Sequence, residues 1–162
     1  MNKIDLNLAV TRHTTTDTLS NKDKALWALA QKACNDAYAP YSGFFVGAAI
    51  RLNNGKIVTG TNQENVAYPS GLCAERVAIF SASSQYPDIP IDSIAVTAKT
   101  ERFELTEPLA PCGACRQVMS EYEQLHHKPI RLLFSGGNQS ILVAENIKTL
   151  LPFSFHANGL KK

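Results

Sequence analysis

The 162-residue chain lacks any apolar run approaching the roughly 18 to 20 residues that span a bilayer. Its first twenty residues, Met1 to Ser20, are polar and carry neither the hydrophobic stretch nor the small-residue cleavage pattern of a secretory signal. A cytoplasmic location is therefore expected. Charge of one sign is also missing: 16 Lys and Arg against 14 Asp and Glu leave a net +2, scattered along the chain. That balance argues against an electrostatic grip on a nucleic acid polymer or an anionic membrane. Charged residues amount to 19%, below the roughly 25% of soluble proteins, as fits a surface partly covered by identical subunits. There is no internal repeat and no low-complexity tract. Cysteine is scarce, with four in all. In a reducing compartment so few thiols are not a disulfide framework, and the clustering of Cys112 and Cys115 points first to metal or thiolate chemistry.

What is present is one domain's worth of chain with 44% apolar side chains, enough for a proper core. After a polar, loosely held extension over residues 1–20, Ser20 and Asp23 resemble a capping box. Ala25, Leu26, Leu29, Ala30, Ala33, Cys34 and Ala37 then recur at helical spacing, predicting a helix to about Tyr38, stopped by Pro40. Phe45 to Leu52 and Lys56 to Gly60 read as strands joined by the turn Asn53-Asn54-Gly55. Leu72 to about Ser84 reads as a helix and Ile91 to Ala98 as a strand. A third helix follows Pro111 to about Leu125, with Val118, Met119 and Tyr122 on one side. Ile130 to Phe134 and Ile141 to Ala144 are short strands around the turn Gly136-Gly137-Asn138, and a short helix lies near Ile147 to Leu151. Strands separated by helices call for crossovers. The expected fold is an α/β, three-layer α/β/α sandwich around one mixed sheet.

Cys112-x-x-Cys115 alone fits a redox pair, half of a structural zinc site or part of a catalytic one. A third cysteine, Cys73, also opens a predicted helix. Two facing helix starts would bring three thiolates together, each favoured by the positive end of a helix dipole. A structural zinc site needs four protein ligands, whereas three leave a position open for water, which zinc can acidify from a pKa of 15.7 to about 7. Glu75 is the candidate carboxylate for moving the proton, although residues two apart on a helix point in different directions. Arg76 and Arg116 stand next to ligand cysteines, either as surface charges or offsetting the net negative charge of a zinc with three thiolates. His126 and His127 are the alternative fourth ligands of a structural site. Cys34 reads as core.

Cys73-Ala74-Glu75-Arg76 and Pro111-Cys112-Gly113-Ala114-Cys115-Arg116-Gln117 together resemble cytidine deaminase of the small, homotetrameric, three-cysteine type. Three more blocks resemble it in order: Pro40-Tyr41-Ser42-Gly43-Phe44-Phe45-Val46-Gly47-Ala48-Ala49, Gly60-Thr61-Asn62-Gln63-Glu64-Asn65 and Leu150-Leu151-Pro152-Phe153-Ser154-Phe155. The likeness runs from about residue 22 to 156, within a catalytic domain assigned to residues 21–162. Departures are Val66, where the family usually has Ala, and the longer N-terminal extension.

The resemblance implies one Zn²⁺ per chain on Cys73, Cys112 and Cys115, with Glu75 as proton shuttle. It implies that Asn62 and Glu64 hold the ribose hydroxyls, that Phe44 packs against the pyrimidine, and that the Ala74 backbone amide contacts the base. Tyr68 and Phe155 match positions that reach a neighbouring subunit's site, so a homotetramer with shared active sites is implied. The implied reaction is hydrolysis of cytidine and 2′-deoxycytidine to uridine and 2′-deoxyuridine with release of ammonia, serving pyrimidine salvage. A deaminase of modified cytosine nucleosides, a zinc-stabilised binding module and a thiol redox protein are the rival readings. Zinc content and turnover of cytidine separate them.

Overall fold

The computed structural model describes residues 2–156; the last six residues of the expected 21–162 domain lie outside the described residues. Six strands form one mixed sheet: β1 (Thr11–His13), β2 (Phe45–Leu52), β3 (Ile57–Thr61), β4 (Ile91–Lys99), β5 (Arg131–Ser135) and β6 (Ile141–Ala144), in the order β1-β6-β5-β4-β2-β3. Only β4 and β5 are adjacent and parallel; the other neighbours are antiparallel. Three helices accompany the sheet: α1 (Asn21–Ala33), α2 (Ala74–Gln85) and α3 (Gly113–Leu125).

Strand alternation assigns the two faces. Ala49, Ala95 and Leu133 pack with Leu26, Trp27 and Ala30 of α1 on one side. Their neighbours Ala48, Ile50, Ile94, Val96, Leu132 and Phe134 pack on the other side with Ala78, Ile79 and Ala82 of α2 and Cys115 and Met119 of α3. The expected three-layer arrangement is thereby present.

Within α1, Ser20 accepts from the Asp23 backbone N–H, as the capping pattern predicts. The buried stripe includes Trp27 rather than Ala25, which is exposed. Asp23 is itself buried and receives Arg51 at 3.5 Å and Arg131 at 3.2 Å, tying the start of α1 to β2 and β5.

Two element boundaries move for one reason, competition from tertiary hydrogen bonds. The first helix ends at Ala33, followed by a 3-10 turn over Cys34–Asp36, because Tyr38 pairs beside β3: its N–H donates to Asn62 O and its carbonyl accepts from Glu64 N. Leu72 exchanges both backbone hydrogen bonds with Gln63, so the second helix starts at Ala74. The last helix is a single 3-10 turn, Ile147–Thr149, capped by Asn146. The strand β1, absent from the sequence-based expectation, joins part of the N-terminal extension to the sheet edge through pairing with β6.

β3 and β4 both run antiparallel to β2 and so point the same way. Each leads through a loop into the N-terminus of a helix, which brings the starts of α2 and α3 to the same end of the sheet. Gly60 allows α2 to lie close: a Cβ there would stand 2.5 Å from Ala78 N and 2.6 Å from Ala74 O.

Candidate active site and metal centre

Cys73 and Cys112 are the N-cap residues of α2 and α3, both with extended backbone and neither side chain spent on capping. Cys115 lies within the first turn of α3 and is fully buried. The three sulfurs stand within 4.8 Å of one another. Among the described residues no other His, Cys, Asp or Glu joins this cluster. His126 follows the far end of α3, roughly 16 Å away at 1.5 Å per residue, so neither it nor His127 supplies the fourth ligand of a structural site.

The thiols interact as a group. Hydrogen bonding from Cys115, followed by the neighbouring Arg76, lowers the Cys73 pKa to about 5, while the same bond and burial push Cys115 upward. Three convergent sulfurs suit a soft or borderline cation, and three protein ligands leave a tetrahedral zinc one open position. Cys73, Cys112 and Cys115 are thus positioned to hold a single Zn²⁺.

Glu75 is 4% exposed. Burial raises its pKa first, with the Cys73 charge adding to the effect. The extended backbone of Cys73 removes the helical spacing that would have turned these two side chains apart. Arg76 reaches Cys73 Sγ at 3.8 Å. Arg116 does not make the corresponding contact. Its Nε donates to Pro111 O at 2.7 Å and its Nη1 to Leu150 O at 3.1 Å, so it clamps the Pro111 loop to the C-terminal segment. These bonds fix the guanidinium beside the loop that leads into Cys112.

A cavity of about 440 Å³ opens beside the sulfurs. Cys73, Cys112 and Glu75 line it together with Phe44, Asn62, Glu64 and Tyr68. Ala74 is fully buried as the first residue of α2. Asn62 accepts from Val46 N at 2.8 Å and donates to Phe44 O at 2.9 Å, holding the backbone on either side of Phe45 and fixing the Phe44 carbonyl. Glu64 Oε2 accepts from Tyr41 N at 2.8 Å and Ser42 N at 3.3 Å. The Ser42 hydroxyl and these amides hold Glu64 below the usual carboxylate range.

Tyr68 lies edge-on to Tyr41, with ring centroids 6.3 Å apart, and is 78% exposed. Phe155 does not line the cavity of its own chain. Its backbone is held on α3 by both amide atoms of Gln117, while 72% of the residue remains exposed. Sequence reasoning gave no role to Leu109 and Ala110, or to Tyr41 and Val46, which also form the cavity wall. The Pro-Tyr-Ser-Gly-Phe block was the available signal for Tyr41.

Comparison with known proteins agrees with this geometry. Residues 20–126 match the family model described as cytidine and deoxycytidylate deaminase zinc-binding region. A cytidine deaminase of Halalkalibacterium halodurans is 41% identical over 131 residues, covering 81% of this chain and 92% of the relative. The crystal structure of cytidine deaminase from Burkholderia pseudomallei superposes with a TM-score of 0.69 at 38% identity, covering 85% of this chain and all of that one. Cytidine deaminase from Mycobacterium tuberculosis superposes with a TM-score of 0.65 at 29% identity, over 85% of this chain and 99% of that one. With its three-cysteine centre, buried glutamate and sheet order in place, the chain belongs to the cytidine and deoxycytidylate deaminase family.

Proposed function

We propose that this protein is a zinc-dependent cytidine deaminase, converting cytidine and 2′-deoxycytidine to uridine and 2′-deoxyuridine with release of ammonia, as a step of pyrimidine salvage in the cytoplasm. The observation that carries the reading is one cavity lined both by Cys73, Cys112 and buried Glu75, with the third clustered sulfur of Cys115 beside them, and by the polar pair Asn62 and Glu64. Cys73, Cys112 and Cys115 would hold the zinc, which when bound would supply the Lewis acidity that makes water a nucleophile at neutral pH. Glu75 accepts a proton from the attacking water as oxygen adds to C4 of the base. The carboxyl then delivers that proton to N3, takes the second proton from the new C4 hydroxyl and gives it to the amine, so that the C4–N bond breaks, ammonia leaves and the C4 carbonyl forms. Its buried position keeps competing bulk water from the transfer.

For the sugar, Asn62 retains one further N–H and one lone-pair position after its bonds to Phe44 O and Val46 N, and Glu64 retains Oε1, so vicinal hydroxyls have complementary partners. A site built on those bonds rejects a substrate lacking them. Phe44 packs against the pyrimidine, and the Ala74 amide contacts the base. The catalytic domain is assigned to residues 21–162, with 1–20 as an extension. Phe155, exposed and away from its own chain's cavity, supports a homotetramer with shared sites; Tyr68 lines the cavity of its own chain and presents its exposed side to a neighbour.

Two measurements test these points. Ultraviolet assay should show turnover of cytidine and 2′-deoxycytidine but not of cytosine base; equal turnover of cytosine contradicts the sugar assignment. Light scattering should give four times the chain mass of 17.7 kDa, and a monomer would exclude shared sites.

A further inference from the structure

The segment joining β4 to α3, residues 100–112, does more than deliver Cys112. Its later half is anchored to the β5 to β6 turn: Leu109 N donates to Ser135 O and Asn138 N donates to Leu105 O, each at 2.9 Å. Its earlier half reaches the Tyr41 to Phe44 loop, which also lines the cavity. There Arg102 Nη1 donates to Tyr41 O at 3.2 Å, and the guanidinium lies so close over Gly43 that a Cβ at that position would stand 2.7 Å from Nε. The Phe103 ring stacks on Phe44 with centroids 6.0 Å apart and planes 10° from parallel.

Neither Arg102 nor Phe103 lines the cavity, but Tyr41 and Phe44, which they hold, both do. The Tyr41 to Phe44 loop is therefore gripped from two sides. Asn62 and Glu64, just after β3, bind its backbone, and Arg102 and Phe103 close on it from the other loop. Phe103 is 58% exposed and belongs to neither core cluster. Its removal leaves the packing of the sheet untouched, so a purely structural role predicts little change in substrate affinity.

We infer that Arg102 and Phe103 are positioning residues that set nucleoside affinity by holding the Tyr41 carbonyl and the Phe44 ring at the cavity wall. This rests on the cytidine deaminase reading, with Phe44 against the pyrimidine. Arg102 also lies near enough to Glu64 for its charge to favour the ionised carboxylate.

The test compares zinc-loaded wild type with Phe103→Ala, Phe103→Tyr and Arg102→Gln. It reads kcat and KM for cytidine, the uridine Kd by calorimetry, zinc content and the thermal midpoint. Phe103→Ala should raise KM and the uridine Kd together, roughly threefold to tenfold as for loss of an aromatic pair, with kcat within about twofold. Phe103→Tyr should restore both values, and Arg102→Gln should raise both. Unchanged KM and Kd in a zinc-loaded, folded Phe103→Ala protein would overturn the inference, as would a fall in kcat alone. Should Phe103→Ala lose zinc or its thermal transition, Arg102→Gln decides by the same readouts. Failure of the wild type to turn over cytidine would refute the underlying function, whereas active wild type with unaffected variants refutes only the clasp.

Discussion

Glu75 combines two properties that rarely coincide, a carboxylate 4% exposed and a place in the wall of the cavity beside the site cysteines. If it moves the proton, Glu75→Ala should retain zinc yet lose at least the roughly 10²- to 10⁴-fold typical of general acid-base catalysis. Zinc analysis beside kcat checks this, and full activity with zinc retained would remove Glu75 from the mechanism. Glu64 has the opposite environment, with its pKa lowered by Ser42 and the Tyr41 and Ser42 amides. Its contribution to folding is present above the ordinary carboxylate value and is lost as pH falls through the depressed one. The same sign applies to sugar binding by the ionised form. KM for cytidine should stay flat as pH is lowered to the usual 4.5 of a glutamate and rise only below it; a rise already complete above that value contradicts the assignment. At this scale the sequence is uneven evidence. The cysteines were legible because Cys-x-x-Cys is a local spacing, whereas the bond from Asn62 to the Phe44 carbonyl and the clamp of Arg116 on Leu150 join residues 18 and 34 positions apart.

Helix α2 is where element packing and chemistry meet, since its first turn carries Ala74 and Glu75 directly after Cys73. Its approach to the sheet depends on Gly60, over which the backbone of Ala74 and Ala78 passes. Gly60→Ala would force α2 outward against backbone atoms that cannot rotate aside. The expected result is destabilisation of roughly 1 to 3 kcal/mol and faster loss of zinc to a chelator, measured by denaturant unfolding and metal release. An unchanged midpoint and release rate would show that the sulfur cluster does not depend on this close approach. Element types were well predicted from periodicity, because α1, α2 and the strands each bury a regular set of apolar positions. The ends were not, because Tyr38 and Leu72 leave their predicted helices to pair with residues around Gln63. β1 was missed since three residues with burial only at His13 carry no alternating apolar signal.

The whole molecule explains why these distant segments form one site. Antiparallel pairing of β2 with both β3 and β4 gives those two strands a common direction, and both crossovers then begin their helices at the same end of the sheet. The order of helices and strands, with the three-layer class, was readable from the chain. Strand order was not, because it depends on pairings between segments far apart in sequence. Among the described residues no helix is long and apolar enough to cross a membrane. The N-terminal extension, through β1, covers one edge of the sheet beside β6. The central claim unites all three scales: convergence of Cys73, Cys112 and Cys115 creates a zinc centre on which turnover of cytidine depends. Its most direct test is to prepare the protein at graded zinc contents and follow cytidine deamination in each sample. Activity should rise in proportion to zinc and saturate at about one ion per chain; full activity without zinc, or none at one zinc per chain, would contradict the account.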